Sequence, residues 1–122
     1  MARVSSDKAG RRLVDAMAAH PLLVAGEGRA CSELMRAMTG KAVVKTGAEG
    51  VFIGILPEQG IGVALKIEDG ATRASEAVMA ALLVRLGVAD ANHPLVQKRL
   101  NAEQRNRRDV LTGHLRVKAC LQ

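Results

Sequence analysis

The segment of this 122-residue chain whose residue types could do chemistry is Lys45-Thr46-Gly47-Ala48-Glu49-Gly50. A lysine at the end of an apolar run, followed by a small turn, presents an ammonium to a cleft. Partial desolvation favours its neutral form and so proton transfer. The small residues that follow leave room for a substrate carboxylate or amide. The same residues also read more simply, as a solvated lysine at a strand end and an ordinary turn, the usual meaning of so short a match. Cys31 is a second candidate, as nucleophile or metal ligand. It also falls on the apolar stripe of its own helix, where cysteine serves as a small hydrophobe. Ser5 and Lys8 have the Ser-x-x-Lys spacing that lets a lysine take a serine's proton. A helix N-cap explains Ser5 without chemistry, and the spacing is read as coincidence.

Other chemistries find little support. His20 and His93 each precede a proline, and no His-x-x-x-His or Glu-x-x-His spacing exists, so no metal site is expected from this chain alone. Cys31 and Cys120 lack C-x-x-C spacing and make neither a zinc knuckle nor a disulfide framework. The basic run at Arg105, Arg107 and Arg108 could touch phosphates, but without aromatic platforms a solvated surface is the reading. Nucleic acid is therefore not an expected partner. A net charge of +6 and a pI near 10.0 bear on contacts rather than on fold.

The elements that must position these residues follow from periodicity. Behind Ser5, Ser6 and Asp7, the residues Ala9, Leu13, Ala16 and Met17 recur at helical spacing, and that helix stops before Pro21. A glycine-containing loop, Gly26 to Arg29, precedes a short helix with a Cys31, Leu34, Met35 and Met38 stripe, closed at Gly40. Ala42 to Lys45, Val51 to Leu56 and Ile61 to Ile67 predict three antiparallel strands, with a turn at Pro57 to Gly60. Ile61, Val63 and Leu65 form a large apolar face of the third, and Gly62 and Ala64 a small one. A long helix from Ala71 to Leu86 carries a stripe of Ala74, Ala77, Val78, Ala81 and Leu82, with Gly87 after its end. Residues 88–109 read as a basic surface connection, and seven basic residues fall between Lys98 and Lys118. A last strand is expected from His114 to Ala119. The fold class is α+β, an antiparallel meander packed with helices.

Residues 1–122 have the size of one domain or of one lobe. The apolar fraction of 48% is ordinary, but Phe52 is the sole aromatic residue. A core without large rings suits a lobe that packs against another, as does simple alanine-rich bias. No apolar run approaches membrane-spanning length and no signal core is visible, so a cytoplasmic, reducing setting is expected.

Four ordered blocks carry a resemblance: His20-Pro21-Leu22-Leu23-Val24-Ala25-Gly26, Arg29-Ala30-Cys31-Ser32-Glu33-Leu34-Met35, Lys45 to Val51, and Ala64 to Gly70 followed by Arg73-Ala74. Together they resemble the class 3 L-asparaginases, whose fold is similar to that of serine β-lactamases and glutaminases. The likeness runs from about Ser5 to Gly87. It continues weakly through Asn106, Gly113 and Arg116, with Asp109 where the family tends to have glycine. The resemblance implies hydrolysis of the side-chain amide of L-asparagine to aspartate and ammonia. It places Lys45 as the active-site lysine of the Lys-x-Gly block and Cys31 as a residue that shapes or supports the site. Gly47 and Glu49 shape the substrate-binding turn beside Lys45. The family's serine, its Ser-x-x-Lys lysine and cysteines associated with a metal come from an N-terminal segment not matched here, so no cofactor is expected in this chain. The expectation is a chain inactive alone, completed by such a segment, with a homodimer as one assembly. The alternative is a non-catalytic binding module that uses the basic C-terminal stretch.

Overall fold

A computed structural model describes residues 8–118. Ser5, Ser6 and Cys120 lie outside the described residues, as does most of the predicted N-terminal cap.

Helix α1 spans Lys8–Ala19 and ends ahead of Pro21 as the proline requires. Its buried face is displaced from the expected one. Val14 is buried, with Met17 and Ala18 partly covered beside it, while Leu13 is 67% exposed. The displacement reflects what the helix meets, since it packs mainly against helix α2 (Pro21–Ala25) and strand β1 (Val43–Thr46). Helix α2 is a single turn that begins on Pro21, a residue whose fixed φ suits a first helical position.

Helix α3 (Ala30–Met38) buries Cys31, Leu34, Met35 and Met38, the stripe its spacing predicts. Its end is reached one residue early, because Thr39 itself adopts a left-handed φ of 49° ahead of Gly40. Three strands follow as an antiparallel meander in the order β1-β2-β3, with β2 at Val51–Leu56 and β3 at Ile61–Lys66. The register pairs Lys45 with Ile53 and Thr46 with Phe52. Because side chains alternate along a strand, Val44, Thr46, Phe52, Gly54 and Leu56 share one face, and Val43, Lys45, Ile53 and Ile55 the other.

Helix α4 (Thr72–Arg85) packs on the Phe52 face. The expected stripe of Ala74, Ala77, Val78, Ala81 and Leu82 is only partly the buried one: Ser75, Met79, Ala80 and Leu83 are buried with Ala77 and Ala81, while Ala74, Val78 and Leu82 are half-covered. The helix touches β2 and β3 on one side and helix α5 (Pro94–Leu100) on another, so its buried surface is too wide for one stripe. Gly87, at φ 74°, ends it.

Residues 88–109 hold more than a connection. They include α5 and strand β4 (Ala102–Arg105), and Val88, Ala89 and Val96 belong to the core. The last strand, β5 (Leu111–Leu115), begins earlier than expected and pairs with β4 rather than with the meander. Asp109, in the turn between them, has a φ of 59°, the region glycine favours and aspartate tolerates better than most residues. The overall architecture is α+β with antiparallel sheets, as the periodicities predict.

Candidate functional site

Lys45 is the last but one residue of β1, on the sheet face away from α4. Its side chain is exposed, and Nζ donates to the carbonyl of Thr46 over 2.8 Å. On that face lies an open groove of about 370 Å³, lined by Met17, Val24, Val43, Ile53 and Ile55 together with Lys45. The ammonium therefore sits beside an otherwise apolar depression while keeping access to water.

Cys31 approaches the same strand end from the other side. It lies in the first turn of α3 and is 1% exposed. The backbone N–H of Thr46 donates to its sulfur over 3.2 Å, and Thr46 Oγ1 lies 3.5 Å from it. Cys31 and Lys45 thus meet at one residue: the thiol holds the amide and hydroxyl of Thr46, and the ammonium holds its carbonyl. The thiol does not face the groove. That geometry suits a residue that supports the strand end, and the buried sulfur is poorly placed to attack a substrate.

Beyond Thr46 the chain reverses tightly. Gly47 N–H donates to Val51 C=O over 2.8 Å, and Val51 N–H to Ala48 C=O over 3.2 Å. A Cβ on Gly47 would stand 3.1 Å from that of Val51, so the position has little room for a side chain. Glu49 and Gly50 both have left-handed φ values, 55° and 73°. For glutamate that conformation costs roughly 1–2 kcal/mol. A Cβ on Gly50 would come within 2.9 Å of Ile67 Cβ, because this turn stacks on the next one, Ile67 to Gly70. Lys66 fastens the two turns, donating to the carbonyls of Glu49 and Ile67. Lys66 stands in the fourth block but carries no role in the sequence reading; only the packing of the turns reveals its contacts.

The described serines are engaged elsewhere. Ser32 Oγ donates to Pro21 C=O over 2.9 Å, and Ser75 Oγ to Thr72 C=O over 2.9 Å. Among the described residues no cluster of three or more His, Cys, Asp or Glu side chains could hold a metal ion, and the Cys31 thiol beside the site is already occupied by Thr46. The described residues do not fit a metal.

The basic stretch is partly neutralised from within. Lys98 and Arg99 both reach Glu33, and Arg105 lies near Glu103 and Asp109. No helix among the described residues is long and apolar enough to cross a membrane.

Comparison with known protein families matches residues 1–117 to the family model described as L-asparaginase II. No curated protein matches the chain.

Proposed function

Since this chain belongs to the L-asparaginase II family, we propose that it carries the lysine half of an amidohydrolase site acting on L-asparagine, to be completed by a segment that brings the nucleophile. The observation that supports this most is the meeting of Cys31 and Lys45 at Thr46, which joins two separate family blocks at one strand end. In this reading Lys45, in its neutral form, takes the proton of a serine hydroxyl on the completing segment. The serine oxygen attacks the side-chain amide carbon, the amide nitrogen receives the proton held by Lys45 and leaves as ammonia, and water then releases L-aspartate from the acyl-serine. A base must stand within hydrogen-bond reach of its nucleophile, and the two described serines donate to backbone carbonyls instead.

Substrate recognition falls to the turn rather than to the groove. A zwitterionic amino acid needs polar partners, and Lys45 is the one charged residue among the described residues lining the groove. At the turn, Gly47 shapes the tight reversal, and the exposed carboxylate of Glu49 suits an α-ammonium group. Cys31 supports the strand end. Its free, buried thiol fits a reducing compartment, and the cytoplasm is the proposed setting.

The test is ammonia release from L-asparagine. The chain alone is expected to show none, and the chain mixed or co-expressed with a Ser-x-x-Lys segment of the family is expected to turn over. Robust turnover by the chain alone would overturn the division of the site and turn attention to Ser5 or Cys31. Silence after completion, with both parts folded and associated, would overturn the asparaginase reading itself.

A further inference from the structure

We infer that Arg99 is a positioning residue for the Lys45 strand end: from α5 it grips both sides of the first turn of α3 and so holds Cys31 against Thr46. The inference rests on the reading of Lys45, Thr46 and Cys31 as one half of a site. Arg99 Nη2 donates to Glu33 Oε2 over 2.5 Å and to the carbonyl of Gly28 over 3.0 Å. Gly28 and Glu33 bracket Cys31 in sequence. On its other side the guanidinium faces Glu76 of α4, with Nε 3.5 Å from Oε2. That distance makes an ion pair but no hydrogen bond, so among the described residues Nε is a buried donor whose counterpart is a charge.

Burial separates Arg99 from its neighbour. Lys98 Nζ also reaches Glu33, over 2.7 Å, but its side chain is 50% exposed. The Arg99 and Glu33 side chains are 11% and 9% exposed. An ion pair open to water is screened and contributes little. One withdrawn from water must stay complete, because removing one partner leaves the other charged and buried. The planar guanidinium can bind a carboxylate and a carbonyl together while facing a second carboxylate, which a lysine ammonium on a flexible stem does less well.

The first turn of α3 is otherwise held by Ser32, which bonds Pro21, by Cys31 itself, and by the water-exposed Lys98 on Glu33. If Arg99 lets go, that turn keeps its tie to α2 and the half-exposed Lys98–Glu33 pair but loses its buried tie to α5, and the Cys31 sulfur drifts from the Thr46 amide. The effect on Lys45 is indirect, through the peptide that carries its strand end.

The test uses the full chain and reads no turnover. Two local reporters are followed: the amide resonance of Thr46 in a 15N-resolved spectrum, and the alkylation rate of Cys31, measured on its own peptide so that Cys120 does not interfere. Arg99→Met is expected to move the Thr46 resonance and to raise the Cys31 rate roughly tenfold in protein that stays folded, as local opening becomes easier. Lys98→Met is expected to change the rate by less than about twofold, as befits an exposed pair. Leu83→Ala serves as a control, since it weakens the core from α4 and is expected to leave the Thr46 resonance in place. Arg99→Lys should fall between wild type and Arg99→Met, and it carries the test if Arg99→Met does not fold. Unchanged Thr46 and Cys31 in the folded Arg99 variants would overturn the proposal. Equal changes in Leu83→Ala would overturn it too, by showing general loosening. A chain that passes here yet never hydrolyses L-asparagine when completed would refute the amidase reading alone.

Discussion

The Cys31 sulfur accepts a hydrogen bond from the backbone nitrogen of Thr46 over 3.2 Å, across a helix start and a strand end that the sequence places 15 residues apart. Sulfur is a weak acceptor, but this amide is on the outer side of β1 and faces α3 rather than a further strand. The thiol therefore takes the place of a ladder partner at the end of the strand that carries Lys45.

Removing that acceptor should be costly. Cys31→Ala leaves the Thr46 amide without its partner and opens a small void, and the expected loss is about 2 kcal/mol in a denaturant titration. Cys31→Ser keeps an acceptor and should lose less. In the completed enzyme, both variants should slow turnover in step with their stability. Turnover abolished by Cys31→Ser in a fully stable protein would instead mark the sulfur as the nucleophile.

Lys45 should behave in the opposite way. Its side chain is exposed, so Lys45→Ala should change stability by no more than about 0.5 kcal/mol. In the completed enzyme the same change should lower kcat by about 10²–10⁴, the contribution of a placed general base. Lys45→Arg should not rescue it, since a guanidinium does not give up its proton. Near-normal turnover by Lys45→Ala would remove Lys45 from the chemistry.

Glu49 allows backbone and side chain to be separated. Glu49→Gly relieves a left-handed φ and should leave stability unchanged or raise it by about 1 kcal/mol. Glu49→Ala keeps the strained backbone and should bring no such gain. If the carboxylate meets the substrate, both variants raise KM for L-asparagine alike in the completed enzyme. A rise in KM confined to one of them would assign the effect to the turn's shape and not to the carboxylate.

The Glu27–Arg36 pair gives a pH signature near the start of α3. Two hydrogen bonds from Arg36, over 2.9 and 3.2 Å, and then its charge hold the Glu27 carboxyl below its ordinary value of 4.5, against a smaller opposing effect of desolvation. The same pairing raises the Arg36 guanidinium above its usual range. A carboxyl depressed in the folded state contributes its full stability above the unfolded value, and that contribution is lost as pH falls through the depressed one. Below pH 4.5 the acid limb of stability should therefore be steeper in wild type than in Arg36→Ala, at low salt. Carboxyl shifts followed by NMR should show Glu27 titrating at its ordinary value in that variant. An unchanged Glu27 titration in Arg36→Ala would show that the pair does not form in solution.

Much of the frame was readable in the residues alone. The β2 limits, the Cys31-Leu34-Met35-Met38 stripe, the stop before Pro21 and Gly87 at the end of α4 all follow from local rules of side-chain period, proline geometry and glycine φ. The family likewise was carried by the blocks, because Lys45, Gly47, Glu49 and Cys31 stand in ordered motifs. Other features were hidden for definite reasons. The buried face of α4 was misjudged because its alanines contrast little with their neighbours, and because the helix is covered from two sides. The α1 face is displaced by one position because the helix rests mainly on α2 and β1, and Leu13 stays in water.

The sequence by itself determined which residue types stand beside Lys45 and the family they announce, since both depend on order along the chain. Tertiary structure alone decided that Cys31 and Lys45 approach Thr46 from opposite sides, and that Arg99, which reads as one more surface cation, is buried against Glu33. The reason is that a charge or a thiol has no fixed meaning until its surroundings are known. Arg99 and Glu33 lie 66 positions apart, and no local period relates them. Only the packing of α5 on α3 withdraws both from water and makes each need the other.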